Sequence, residues 1–108
     1  MKQSQRIAEL NDALRTNFAG GKVMMTRSVA VLPEGERAAV LTAVRSFQDF
    51  NRDNDPHGEH DFGQVEVNDS TYFFKIDYYD LSMENGSENP ADPKQTVRVL
   101  TIMLAEEY

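Results

Sequence analysis

The first half of the chain carries two stretches in which apolar residues recur at helical spacing. From Ser4 to Asn17 the apolar positions fall three and four residues apart, which predicts an amphipathic helix that Gly20-Gly21 should end. A second apolar face runs from Pro33 to Phe50, and its proline suits the first turn of a helix. Between them, the Val- and Met-rich run from Lys22 to Val31 favours a β-strand.

The second half changes to a period of two residues. The runs Phe62 to Val67 and Thr71 to Tyr79 flank the polar pair Asn68-Asp69, which predicts a β-hairpin whose paired residue numbers sum to about 137. In its second strand, alternate residues are expected to face the core, namely Tyr72, Phe74, Ile76 and Tyr78. The run Thr96 to Leu104 has apolar residues on both faces and is expected at the centre of the sheet.

These elements follow the order α-β-α-β-β-β. That order, with mostly hairpin connections, predicts an α+β fold in which an antiparallel sheet of about four strands has two helices packed on one face. The 108 residues, of which 40% are hydrophobic, suit a single domain over 1–108. A polar stretch from Asp80 to Gln95 is expected to form a long exposed loop.

Cysteine is absent, which excludes disulfides, thiolate metal sites and cysteine nucleophiles. No stretch approaches the roughly 20 apolar residues of a membrane helix, and the first residues lead into the amphipathic pattern, without the apolar core of a secretion signal. We therefore expect a cytoplasmic protein with no membrane association.

The formal charge of −7 is unevenly distributed along the chain. Residues 1–45 hold seven basic and four acidic side chains, net +3, whereas residues 46–108 hold four basic and fourteen acidic ones, net −10. Such a field repels nucleic-acid phosphates and attracts a basic protein surface or a cation. Direct nucleic-acid binding is therefore not expected.

The segment from Asn54 to Gly63 concentrates the candidate chemistry, with both histidines, three carboxylates and two glycines. The predicted hairpin would place it beside Asp77 and Asp80. His57 and His60 could then bind a divalent transition metal together with nearby carboxylates. On this interpretation the protein is a metal-dependent hydrolase or nuclease, with Glu59 or Asp77 as general base.

The same segment also suits a rigid, hydrogen-bonded acidic turn that needs no cofactor. Pro56 and Gly58 argue against the helix on which a His-Glu-x-x-His zinc site is built. A histidine among carboxylates can order a loop through hydrogen bonds alone. This interpretation favours a binding function over an enzyme, and it gives as candidate binding residues Asp53, Asp55, Glu59, Asp61, Asp77, Tyr79 and Asp80.

Three stretches together resemble a bacterial protein family of unknown function, the one numbered 3768. They are NDPHGEHDFG at 54–63, KIDYYD at 75–80 and RVLTIMLAEEY at 98–108, and the opening IAELNDALR at 7–15 resembles the family as well. The resemblance implies no catalytic residue. Similar proteins are short and are encoded in proteobacterial genomes and mobile elements, which is compatible with an anti-defence role.

The leading hypothesis is a non-enzymatic acidic module that binds a basic, nucleic-acid-binding surface of a partner protein, for example as an inhibitor of CRISPR or restriction machinery. The alternative is the metal-dependent hydrolase built on His57 and His60. A homodimer formed through an exposed strand edge within Lys22 to Val31 is a third possibility.

Overall fold

The computed structural model describes residues 2–108, which form three α-helices, a four-stranded sheet and a closing 3₁₀ turn. In chain order the elements are α1 (Gln3–Asn17), β1 (Lys22–Met25), α2 (Arg27–Ala30), α3 (Glu34–Ser46), β2 (Phe62–Val67), β3 (Ser70–Tyr79), β4 (Val97–Leu104) and the 3₁₀ turn (Ala105–Glu107). Within residues 2–108 there is no helix with the length and apolarity that a membrane crossing requires.

The strands lie in the order β1-β4-β3-β2. The predicted α+β class and the interior position of β4 are confirmed, as is the hairpin register, since Phe62 pairs with Lys75. The prediction of a purely antiparallel sheet was wrong, because β1 pairs with β4 in parallel, Lys22 against Val99. A tight turn forces the strands that it joins to be antiparallel, but no such turn connects β1 to β4.

Two element boundaries also differ from the predicted ones. The strand expected over Lys22 to Val31 ends at Met25, and the chain then forms the short helix α2. The helix expected to reach Phe50 ends at Ser46, where the buried Arg15 side chain binds the last carbonyl groups of α3. Both differences come from contacts that a local pattern does not contain.

The hydrophobic core lies between one face of the sheet and the helices. Of the four β3 residues predicted to face inward, Tyr72, Phe74 and Ile76 are buried, with Phe74 completely so, and Tyr78 is partly buried against the core. Gly63 on β2 leaves the space that the Phe74 ring fills, because a Cβ at Gly63 would overlap that ring. The other core residues include Leu14 of α1, Val40 and Val44 of α3, and Leu100 and Ile102 of β4.

No α-helix of residues 2–108 packs on the opposite face of the sheet, and we call it the outer face. Its centre holds an ion pair between Lys75 and Asp77, two residues apart on β3, with Nζ and Oδ2 2.7 Å apart. Two adjoining grooves of about 600 and 410 Å³ run along it and share Thr26 and Thr101 as lining residues. Three mutually packed aromatic rings cover one corner, those of Phe62, Phe73 and Tyr108.

Candidate functional site

Two long loops leave the sheet at the same end. Residues 48–61 lead into β2, and residues 80–96 join β3 to β4. In the sheet Phe62 pairs with Lys75 and Tyr79 pairs with Val97. Both loops therefore lie beyond the C-terminal end of β3. We call these two loops together the loop end. They hold nine carboxylates but only two basic residues, Arg52 and Lys94, so their net charge is −7.

Asn11 of α1 joins the first loop to the sheet. Its side chain is completely buried. Its Nδ2 donates to the Tyr78 hydroxyl at 2.8 Å and to the Glu59 carbonyl oxygen at 2.9 Å. The Tyr78 hydroxyl in turn donates to Glu59 Oε1 at 2.9 Å. Glu59 is therefore held through both its backbone and its carboxylate, and burial raises the pKa of Tyr78 so that its hydroxyl stays protonated as the donor.

Arg98 of β4 extends this network to the second loop. Its Nε donates to Asn11 Oδ1 at 2.6 Å and its Nη2 donates to the Pro90 carbonyl oxygen. The guanidinium lies 5.1 Å from the centre of the Tyr78 ring, a cation–π contact. Burial lowers the pKa of Arg98, and among residues 2–108 no carboxylate lies within ion-pair distance of it. Neutral hydrogen-bond acceptors, and not a carboxylate, therefore stabilise the positive charge of the Arg98 guanidinium.

Asp55 closes the turn that contains the two histidines. Its side chain is only 5% exposed, and its Oδ1 accepts the backbone N–H groups of Glu59 at 3.1 Å and His60 at 3.2 Å. Gly58 and His60 have positive φ angles of 69° and 57°, which the hydrogen-bonded turn maintains. Asp55, predicted as a binding residue, thus shapes the loop from inside.

The two histidines have different surroundings. The His60 ring stacks on Phe50 with centroids 4.1 Å apart, and its Nδ1 lies 3.0 Å from Asp12 Oδ1 on α1. Its Nε2 lies 3.8 Å from Asp55 Oδ2. His57 is exposed, and its side chain has no hydrogen bond among residues 2–108.

The predicted cluster of histidines and carboxylates is divided among separate places. Asp77 pairs with Lys75 on the outer face, and Asp80 lies at the start of the second loop. Within the part of the chain that the structure describes, no three His, Asp or Glu side chains are arranged to hold a metal ion. Asp77 and Asp80 are therefore engaged in other contacts, and a metal site at His57 and His60 stays a prediction.

Asp80 orders the second loop as Asp55 orders the first. Its Oδ1 accepts the Ser82 hydroxyl at 2.8 Å and the Glu84 backbone N–H at 3.2 Å. The hydrogen bond from Ser82 lowers the pKa of Asp80, with smaller contributions from Asn85 and Glu84. Of the remaining predicted binding residues, Asp53 is exposed on the first loop, whereas Tyr79 borders the larger groove on the outer face.

Asp61 is the carboxylate of the first loop that the fold accommodates least well. Burial raises its pKa, and the charges of Glu59 and Asp55 add to the effect. Because the folded pKa lies above the unfolded value of 3.8, this carboxylate lowers stability as the pH rises from 3.8 through the folded pKa.

The Asp61→Asn variant should therefore be more stable than the wild type at neutral pH. The gain is about 0.5 kcal/mol or less, because the group is partly exposed and solvent screens it. Urea unfolding at neutral pH and at a pH well below 3.8 measures it, and the difference should vanish at the lower pH, where the acid is protonated in both states. An equal gain at both pH values would contradict this origin.

The sequence interpretation missed Asn11, Asp12 and Arg98, which do much to fix the two loops. A signal was present for two of them. Asn11 lies four residues after Ile7 and three before Leu14, on the apolar stripe of α1. Arg98 is two residues before Leu100 in β4, so both side chains lie on the core face of the sheet. A polar residue at a buried position needs a partner, and here the two residues are partners of each other.

A protein-family model described as "Protein of unknown function (DUF3768)" matches residues 25–107. No curated protein and no solved structure matches the chain. The family match confirms the resemblance seen in the sequence and covers every strand except the first three residues of β1.

Proposed function

We propose that this chain, which belongs to the DUF3768 family, is a non-enzymatic module whose loop end binds a basic surface of a partner protein. The observation that carries the proposal is that the fold brings two acidic loops to one end of the sheet, with nine carboxylates against two basic residues. A concentrated field of one sign accelerates association with a surface of the opposite sign and rejects other partners.

The loop end is organised before a partner arrives. Three carboxylates accept hydrogen bonds from within the protein, and these bonds fix the backbone of both loops. They are those of Asp55, Glu59 and Asp80. A partner then gains contacts without a large ordering cost, since the loops lose little conformational freedom on binding.

Other carboxylates of the same loops remain available to a partner. Four are exposed and form no side-chain hydrogen bond or ion pair within residues 2–108: Asp49, Asp53, Glu84 and Glu88. Exposed carboxylates on a preformed surface can replace phosphates on a basic patch that ordinarily binds nucleic acid. The finer form of the proposal is therefore an inhibitor that occupies the nucleic-acid site of a defence complex, such as CRISPR or restriction machinery.

DNA displacement tests the proposal with two variants of equal charge. In the loop-end variant, the four exposed carboxylates become amides: Asp49→Asn, Asp53→Asn, Glu84→Gln and Glu88→Gln. The control variant carries Glu34→Gln, Glu36→Gln, Glu66→Gln and Asp69→Asn, which are also exposed. Glu66 and Asp69 lie at or beside the β2–β3 turn, and Glu34 and Glu36 lie in the first turn of α3. Each set neutralises four charges and changes the formal net charge from −7 to −3.

The measurement is release of labelled DNA from purified restriction and CRISPR effector complexes. We expect the wild type to displace DNA in a salt-sensitive manner, the loop-end variant to be at least about tenfold weaker and the control variant to match the wild type. Equal weakening by both variants would point to net charge alone, and failure to displace DNA from any complex would remove the nucleic-acid-site form of the proposal.

A further inference from the structure

The sheet has two free edges, and they differ in chemistry. The β2 edge carries the exposed polar residues Gln64 and Glu66, which discourage the addition of another strand. The β1 edge carries Met24 and Met25, which are 54% and 39% exposed. Apart from Lys22 at its start, this edge is uncharged and largely apolar, and a further strand adds most readily to an edge of this kind.

The backbone of β1 has two residues with unpaired groups along this edge. Thr26 donates its N–H to the Ile102 carbonyl of β4 at 3.0 Å. Since the backbone groups of successive residues in a strand point in alternate directions, Met24 and Lys22 also face β4. The N–H and C=O groups of Val23 and Met25 therefore point away from the sheet.

We propose that β1 pairs with β1 of a second copy of this chain, antiparallel about a two-fold axis. The register that uses every outward group pairs Val23 with Met25 of the second copy, which forms four backbone hydrogen bonds across the axis. Met24 then lies directly opposite Met24 of the second copy, at the closer type of antiparallel pair. Two flexible, polarisable methionine side chains can adjust to each other there.

The charges on this edge complement one another in that register. Lys22 faces Thr26 of the second copy, and in each chain the Thr26 hydroxyl donates to the Glu107 carboxylate at 2.5 Å. Each lysine therefore approaches a carboxylate of the other copy on the outer face, twice by symmetry. Because β1 starts at the loop end and the strands are antiparallel, the two acidic loop ends lie at opposite ends of the joined sheet, which limits their repulsion.

The pairing also joins apolar surface that is open in one copy. The larger groove on the outer face is lined by Met24 and Met83 with Val99 at its floor, and it borders the β1 edge. Joining two β1 strands makes the grooves of both copies neighbours across the axis. The apolar residues that line each groove, which are open to solvent in the monomer, then add to the contact between the copies.

Disulfide trapping tests this register. The chain has no cysteine, so Met24→Cys introduces a single thiol. In the closer antiparallel pair the Cα atoms are about 4.5 Å apart, which a disulfide can span. We expect the Met24→Cys protein to form a covalent dimer rapidly under mild oxidation, whereas Gln64→Cys on the other sheet edge should react only at the rate of random collision.

Sedimentation equilibrium tests the reversible dimer without a crosslink. We expect the wild type to self-associate and Met24→Lys to weaken the association by about tenfold or more, since two lysines would meet on the axis. Gln64→Lys is the matched control and should change nothing. Two results would overturn the proposal. One is a wild-type dimer whose association constant Met24→Lys does not change; the other is a monomeric wild type whose Met24→Cys and Gln64→Cys variants form disulfides at the same rate. The β1 edge would then be available to a strand of another protein.

Discussion

Replacing Asn11 with alanine should lower the free energy of unfolding by about 3 kcal/mol or more. The change removes both donors that hold Glu59 and Tyr78, and it removes the acceptor of the Arg98 Nε–H. The guanidinium would remain buried without that partner and without a carboxylate. Such a loss is a large part of a domain's total stability, which is on the order of 5–15 kcal/mol. Urea unfolding monitored by circular dichroism measures it.

Asn17→Ala is the control for Asn11→Ala. Asn17 is exposed near the end of the same helix, so its replacement should change stability by less than about 0.5 kcal/mol. Asn11→Asp separates the two roles of the side chain, because it keeps an acceptor for Arg98 and loses the two donors. Its stability should lie between those of the wild type and Asn11→Ala. Equal stability of Asn11→Ala and Asn17→Ala would show that the network contributes nothing.

The Arg15→Met variant should be destabilised by about 3 kcal/mol. Arg15 is 3% exposed, and its Nη1 donates to the carbonyl oxygens of Val44, Arg45 and Phe47 at the end of α3. Methionine retains an apolar stem against Phe50 and Phe74 but donates nothing, so these carbonyl groups lose their partner. Thermal and urea unfolding both measure the loss.

Arg45→Met provides the comparison for Arg15→Met. Arg45 also donates to a carbonyl, that of Thr16 at 2.9 Å, and also lies over an aromatic ring, that of Phe18. It is exposed, however, so water can replace its hydrogen bonds and the expected cost is about 1 kcal/mol or less. If the two variants lost equal stability, burial would not be the cause of the Arg15 effect.

Local sequence patterns predicted the parts of the fold that local chemistry determines. The hairpin register followed from the polar pair Asn68-Asp69, because a two-residue turn fixes which residues face each other, and both residues do adopt positive φ. The α1 stripe followed from spacing alone. The interior position of β4 followed from its apolar residues on both faces.

The sequence could not reveal the features that depend on distant partners. The parallel direction of β1 depends on β4, and the capping of α2 depends on Glu107, whose carboxylate accepts the Ser28 N–H from the far end of the chain. The role of His60 depends on Asp12 in α1. Proximity along the sequence pointed to His57 and gave no indication of the contact with α1, which forms because the loop folds back onto that helix.

For the candidate site, the sequence identified the acidic loops but not which of their carboxylates are exposed and which support the loop from inside. Asp53 and Asp55 are two residues apart in the same acidic segment, yet one is exposed and the other is buried beneath the turn. Which carboxylates face a partner and which support the loop depends on the backbone conformation of each loop and, for Glu59, on the Tyr78 hydroxyl of β3. That information exists only in the assembled fold.

The parallel pairing of β1 with β4 also has a consequence for how the chain acquires its structure. In the β2–β3–β4 meander each strand pairs with the next one along the chain, whereas β1 pairs with β4, a strand that is synthesised late. Until residues 97–104 have been made, α1 has no Arg98 to pair with Asn11 and β1 has no neighbour. We expect the amino-terminal segment to be the last to become protected from hydrogen exchange during refolding. In the nascent protein, the segment that is synthesised first is then the most accessible to chaperones and proteases.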